Sequence, residues 1–153
     1  MKRSWSIVAS ILLVMSLLVG CSSNSSNTES TDGKVELTFF HRWPNEPYKS
    51  YYKEIIDEFE KQNPDIKVKE ITALNDDYKQ KANVILGNDN PPDIFFSWVG
   101  EYGEKFIRDG IALDITDYME QDKEWSDQLI ASQVEQFTKD DKVYGVPLFT
   151  DSK

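Results

Sequence analysis

From Val35 onward the apolar residues change period, from every second residue to every third or fourth and back again. That alternation leaves few architectures open. Val35-Glu36-Leu37-Thr38-Phe39-Phe40 alternates and then turns fully apolar, as a strand entering a sheet does. Two prolines in His41-Arg42-Trp43-Pro44-Asn45-Glu46-Pro47 stop it. Tyr48, Tyr52, Ile55, Ile56 and Phe59 then recur at helical steps with charges opposite, predicting an amphipathic helix that ends near Asn63-Pro64. Ile66-Lys67-Val68-Lys69-Glu70-Ile71 is a second strand. Asn75 or Asp76 is placed to cap a second helix carrying Tyr78, Ala82, Ile85 and Leu86 and ending at Gly87.

Past the turn Asn88-Asp89-Asn90-Pro91-Pro92, the run Asp93-Ile94-Phe95-Phe96-Ser97-Trp98 is apolar almost throughout, as expected of a strand buried on both faces. A helix is expected from about Glu101 to Arg108, stopped at Asp109-Gly110, then a short extended or turning piece through Tyr118. Trp125 to Phe137 reads as one more helix, and Val143 to Phe149 as a last strand behind the turn Lys139-Asp140-Asp141-Lys142. Strand, helix, strand, helix, strand is the pattern of crossovers onto a mainly parallel sheet: an α/β fold with flanking helices. No repeat at a fixed period is visible.

The segment before Val35 obeys other rules. Met1-Lys2-Arg3 is cationic, Ile7 to Val19 is apolar except for Ser10 and Ser16, and Gly20 precedes Cys21. These are the parts of a secretory signal, and the apolar run is shorter than the roughly 20 residues a bilayer needs. Leu18-Val19-Gly20-Cys21 resembles the lipobox of bacterial lipoproteins, which implies cleavage before Cys21 and a lipid on its sulfur. An ordinary cleaved signal with an incidental cysteine is the plainer alternative. From Ser22 to Gly33 no residue is apolar, so this stretch reads as a flexible tether spanning on the order of 20 Å. The expected organisation is therefore a signal over 1–20, a lipidated cysteine and tether over 21–33, and a folded unit over 34–153.

Acidic residues number 27 against 17 basic ones, and the net charge is −10. Such a surface repels phosphate backbones, which argues against nucleic acid as a partner. With a single cysteine there is no disulfide, so stability must come from packing.

Four stretches taken in order are similar to the extracellular solute-binding proteins, family 1, the receptors of sugar ABC importers that include the maltose-binding proteins. They are Phe59-Glu60-Lys61-Gln62-Asn63-Pro64-Asp65-Ile66-Lys67-Val68, Pro92-Asp93-Ile94-Phe95-Phe96, Gly110-Ile111-Ala112-Leu113-Asp114-Ile115-Thr116 and Tyr144-Gly145-Val146-Pro147. The resemblance implies a lobe of the type II periplasmic-binding fold, with a sugar or oligosaccharide held between two lobes and handed to permease subunits. It also implies no catalysis, no cofactor, a monomer, and a lipid-anchored place on the extracytoplasmic face of the cell membrane. In that frame the chain covers part of the N-terminal lobe and reads as a fragment without the second one. Half a cleft buries one face of a sugar, so affinity should fall by orders of magnitude.

In open parallel sheets, ligands bind beyond the carboxyl ends of the strands. That rule selects Trp43, Asn45 and Glu46 after the first strand, the indole to stack on a pyranose and the polar groups to meet its hydroxyls. A lid on the first helix is the alternative for Trp43. Family likeness adds Trp98 and Glu101 at the end of the third strand, and Asp151 past Pro147. Trp98 could equally be core. Asp76 and Asp77 are explained by capping, with a contact to the ligand from that loop as the alternative. His41, the only histidine, has no nucleophile beside it and reads as a loop residue. Asn88-Asp89-Asn90 lacks the glycine and distal glutamate of a calcium loop, and Trp125 is expected to pack its own helix. A surface-anchored carbohydrate-active enzyme stays open as an alternative, although no pair of carboxylates stands out. So does a truncated fragment without function.

Overall fold

A computed structural model describes residues 33–148. Cys21, the signal, the tether up to residue 32, and Asp151 lie outside the described residues.

The centre of the fold is β1 (Val35–His41), paired in parallel with β2 (Ile66–Thr72) along its whole length, from Val35 opposite Ile66 to His41 opposite Thr72. On its other side β1 pairs in parallel with β3 (Ile94–Phe95), through Phe39 opposite Ile94 and Phe40 opposite Phe95. The order is β2-β1-β3. Alternation sends Phe39 and His41 to one face and Phe40 to the other.

Each face is covered by a helix. α1 (Tyr48–Gln62) lies on the Phe39 side, where the Tyr52 ring meets Phe39 at 5.7 Å and His41 at 4.7 Å. It ends at Asn63, whose backbone and side-chain N–H groups both donate to the Phe59 carbonyl at 2.9 Å, before Pro64 forbids continuation. α2 (Asn75–Ile85) lies on the Phe40 side, with Tyr78 stacked on Phe40 at 4.3 Å. Phe106 of α3 (Glu101–Arg108) joins Phe40, Ala73, Tyr78, Ala82 and Leu86 in the principal core. Each large side chain fully buried there contributes about 1.5–3 kcal/mol.

The chain leaves β1 for β2 on one side, then crosses back to β3 on the other. The crevice between the carboxyl ends of β1 and β3 is therefore the switch point of the sheet, where such folds place ligands.

Several expectations need correction. His41 is not a loop residue; it closes β1 and is 0% exposed. No side chain caps α2: Leu74 precedes it, and Asp76 and Asp77 sit in its first turn, where their charge favours the helix dipole. The third strand is only Ile94–Phe95, and Ile94 is 48% exposed, because β1 is its sole ladder partner among the described residues.

The segment from Trp125 to Phe137 is broken into α5 (Lys123–Ser126), α6 (Ala131–Val134) and a 3-10 turn (Glu135–Phe137), after α4 (Thr116–Gln121). Trp125 and Ile130 remain exposed there, so no buried face holds a continuous helix together. The expected last strand is the two-residue β5 (Lys142–Val143), antiparallel to β4 (Thr138–Lys139) and outside the main sheet. Its turn puts Asp140 at φ 51° and Asp141 at φ 62°. The motif around Asp114 anchors this hairpin. Asp114 accepts from the Thr116 N–H and hydroxyl and pairs with Lys142 at 3.1 Å, while Thr116 Oγ1 accepts from the Val143 N–H at 2.9 Å.

Candidate functional site

His41 organises the loop that follows β1. The Trp43 N–H donates to His41 Nδ1 at 3.3 Å, which makes Nδ1 the acceptor and leaves the proton on Nε2. Nε2 donates to Glu70 Oε1 at 2.9 Å across the β1–β2 pair. Burial pushes the His41 pKa below its ordinary 6.5, against the hydrogen bond and charge of Glu70. The imidazole is therefore neutral near pH 7 and fixes the turn without carrying charge.

Trp43 is 7% exposed. Its indole stacks on Tyr52 at 5.3 Å and meets Phe96 edge-on at 4.8 Å, so it rests on α1 and on the strand ends together. Burial pushes the Tyr52 hydroxyl up to about 12. Beyond Pro44, the Asn45 carbonyl accepts from the Lys49 N–H at 3.0 Å, and Glu46 Oε2 accepts from the Ser50 N–H at 3.2 Å. Hydrogen bonds from Ser50 hold the Glu46 carboxyl below the usual range. The start of α1 thus orients both residues.

These groups line an open pocket of about 250 Å³ whose walls are Arg42, Trp43, Pro44, Asn45, Glu46, Tyr48, Leu74 and Asn75. Trp43, Asn45 and Glu46, selected in the sequence by the rule for strand ends, all line this pocket. Trp98 and Glu101 are not among the lining residues. Trp98 packs against the core, edge-on to Tyr78, Phe96 and Tyr102, and reaches the pocket region only through Arg42. Glu101 is exposed and turns along α3 to Arg108 at 2.6 Å. Among the described residues no cluster of His, Cys, Asp or Glu could hold a metal ion, and no helix is long and apolar enough to cross a membrane.

The family of bacterial extracellular solute-binding proteins matches residues 43–153, well over half of the chain. The chain belongs to that family. The match to this solute-binding family begins at the wall of the pocket itself, at Trp43. Maltodextrin-binding protein MdxE of Bacillus subtilis is 32% identical over 151 residues, a match covering 97% of this chain and 32% of that protein. A solved structure described for xylan utilization by Caldanaerobius polysaccharolyticus has a TM-score of 0.68 and 34% identity, covering 74% of this chain and 28% of that one. An ABC substrate-binding protein from Listeria monocytogenes in complex with cycloalternan has a TM-score of 0.62 and 33% identity, covering 72% and 28%. The chain spans about a third of the length of its curated relative.

Sequence reasoning placed Arg42 in the loop after β1 without giving it a role, and missed Tyr48, Leu74 and Asn75 as pocket walls. Tyr48 was absorbed into the apolar stripe of α1, and Asn75 into a cap. Their remaining signal is position: each lies just past the carboxyl end of β1 or β2, where the sheet rule points.

Proposed function

We propose that residues 34–153 form part of the N-terminal lobe of a receptor that captures a sugar or oligosaccharide and delivers it to the permease of an ABC importer. One observation carries the reading: an indole, an amide and a carboxylate converge on a single open pocket at the carboxyl ends of the strands. The sugars of two relatives, a maltodextrin-binding protein and a substrate-binding protein in complex with cycloalternan, support a carbohydrate as the solute. Stacking on Trp43 and Tyr48 would supply affinity, and Asn45, Glu46 and Asn75 would select hydroxyl positions. Trp98, Glu101 and Asp151 are proposed as further contacts. In this reading Cys21 carries the lipid, and residues 21–33 tether a monomeric receptor outside the membrane.

The test is a titration of the isotope-labelled chain with maltodextrins and xylo-oligosaccharides to millimolar concentration, followed by indole N–H resonances. The Trp43 indole should move and that of Trp125 should not, with the sugars recovered intact. Absence of any shift at Trp43 with every sugar overturns the reading, and release of reducing ends would favour an enzyme. For the anchor, labelling cells with palmitate should mark the wild-type protein and not Cys21→Ala; an unlabelled wild type removes that part.

A further inference from the structure

Arg42 stands at the switch point with its charge unmet. Its guanidinium carbon lies 5.2 Å from the Trp43 ring, 5.3 Å from Phe96 and 5.2 Å from Trp98. Three aromatic faces hold the cation and hydrogen-bond none of its donors in a plane. Arg42 Nε is shut away from water and has no acceptor among the described residues. Arg108 is a contrast: it reaches Glu101 at 2.6 Å and Glu104 at 4.0 Å. Of the two arginines among the described residues, Arg42 is the one without a carboxylate partner.

A second cation is close. Lys79 Nζ stands 4.9 Å from the centre of the same Trp98 ring. The nearby acids do not answer these charges. Glu46 lines the pocket but is engaged by Ser50, and Asp76 and Asp77 belong to the first turn of α2.

We infer that this end of the pocket receives a carboxylate, and that the solute is an oligosaccharide bearing a uronic acid whose carboxylate pairs with Arg42. The inference rests on reading the pocket as a sugar site. A hydroxyl of a neutral sugar satisfies one donor, whereas a planar carboxylate accepts from both terminal nitrogens of the guanidinium together. Enclosed by aromatic walls, that pair is weakly screened.

The experiment titrates the full chain with xylotetraose, with the same tetraose carrying one glucuronic acid branch, with the methyl ester of that branch, and with acetate. The reporter is the Arg Nε–H resonance, assigned through Arg42→Gln and Arg108→Gln. The acid should bind about tenfold more tightly than its ester, the worth of a charge-assisted hydrogen bond. It should move the Arg42 signal and not that of Arg108. Equal binding of acid and ester, or an Arg42 shift produced equally by acetate, overturns the inference and leaves the sugar reading standing. Binding of plain xylotetraose with none of the acid does the same. No binding of any saccharide overturns both. Because the resonance is read on the wild-type chain, the result holds even if Arg42→Gln folds poorly.

Discussion

His41 and Glu70 are joined at 2.9 Å across the β1–β2 pair, with the imidazole sealed from solvent and the carboxylate half-open to it. Because the folded state holds the His41 pKa below 6.5, the unfolded chain binds the proton more readily. Stability is then full above pH 6.5 and falls as pH drops through the window below it. Thermal melts from pH 7.5 to pH 5 should show that decline, and His41→Gln should flatten it while lowering the plateau. Carboxylates held low, such as Asp114 and Glu60, lose their contribution only below their ordinary values of 3.8 and 4.5, so the windows separate. A wild-type melting temperature constant from pH 7.5 to pH 5 would refute the assignment.

Tyr78 ties two strands to α2. Its hydroxyl donates to the Phe96 carbonyl at 2.5 Å and lies 3.3 Å from that of Phe40, and burial raises its pKa far above the ordinary value. Tyr78→Phe keeps the stacked ring and takes the hydroxyl donor from the Phe96 carbonyl, while the Phe40 carbonyl still accepts from the Phe96 N–H at 2.9 Å. The expected loss is about 1–3 kcal/mol in a urea denaturation, with the far-ultraviolet spectrum unchanged.

Gly100 and Gly103 open α3 for different reasons. Gly100 sits at φ 72° and ψ −154°, a region essentially reserved for glycine. At Gly103 an added Cβ would come within 2.5 Å of the Trp98 carbonyl oxygen. Gly103→Ala must therefore push α3 away from the end of β3. The cost should be about 1–3 kcal/mol, with a change in Trp98 fluorescence. An unshifted emission at wild-type stability would contradict the close approach.

Trp43 has a structural and a proposed binding task, and two substitutions separate them. Trp43→Ala should cost about 3–5 kcal/mol, since the stack on Tyr52 and the edge contact with Phe96 both vanish. Trp43→Phe keeps part of the packing, so a folded variant with weakened saccharide-induced shifts at Asn45 is expected by resonance titration.

The hairpin turn carries two aspartates in the left-handed region. Asp141→Gly should relieve about 1 kcal/mol, visible as a raised denaturation midpoint. Asp140→Val should move it the other way, because a branched side chain tolerates that backbone poorly.

Local pattern carried a good part of this fold. The ends of α1 at Gln62 and of α3 at Arg108, and the start of β2 at Ile66, lie where proline, glycine and the apolar period put them. These features depend on neighbours within a few residues, which the sequence displays directly. The stretch from Trp125 to Phe137 shows the limit: its apolar spacing suits a helix, but a helix persists only where some other surface buries its face.

What the sequence by itself determined is the α/β alternation, the family, and the loop after β1 as the place to look for binding. Tertiary structure alone decided that His41 is buried and paired to Glu70, that Trp43 rests on α1, and that Arg42 meets Trp98 with its Nε unanswered. Each of these depends on which strands lie side by side, and the order β2-β1-β3 is set by burial and pairing between segments far apart in the chain. No short-range pattern encodes that order. It is the pairing of β1 with β2 that sets the loop from Arg42 to Glu46 beside Leu74 and Asn75 in one pocket.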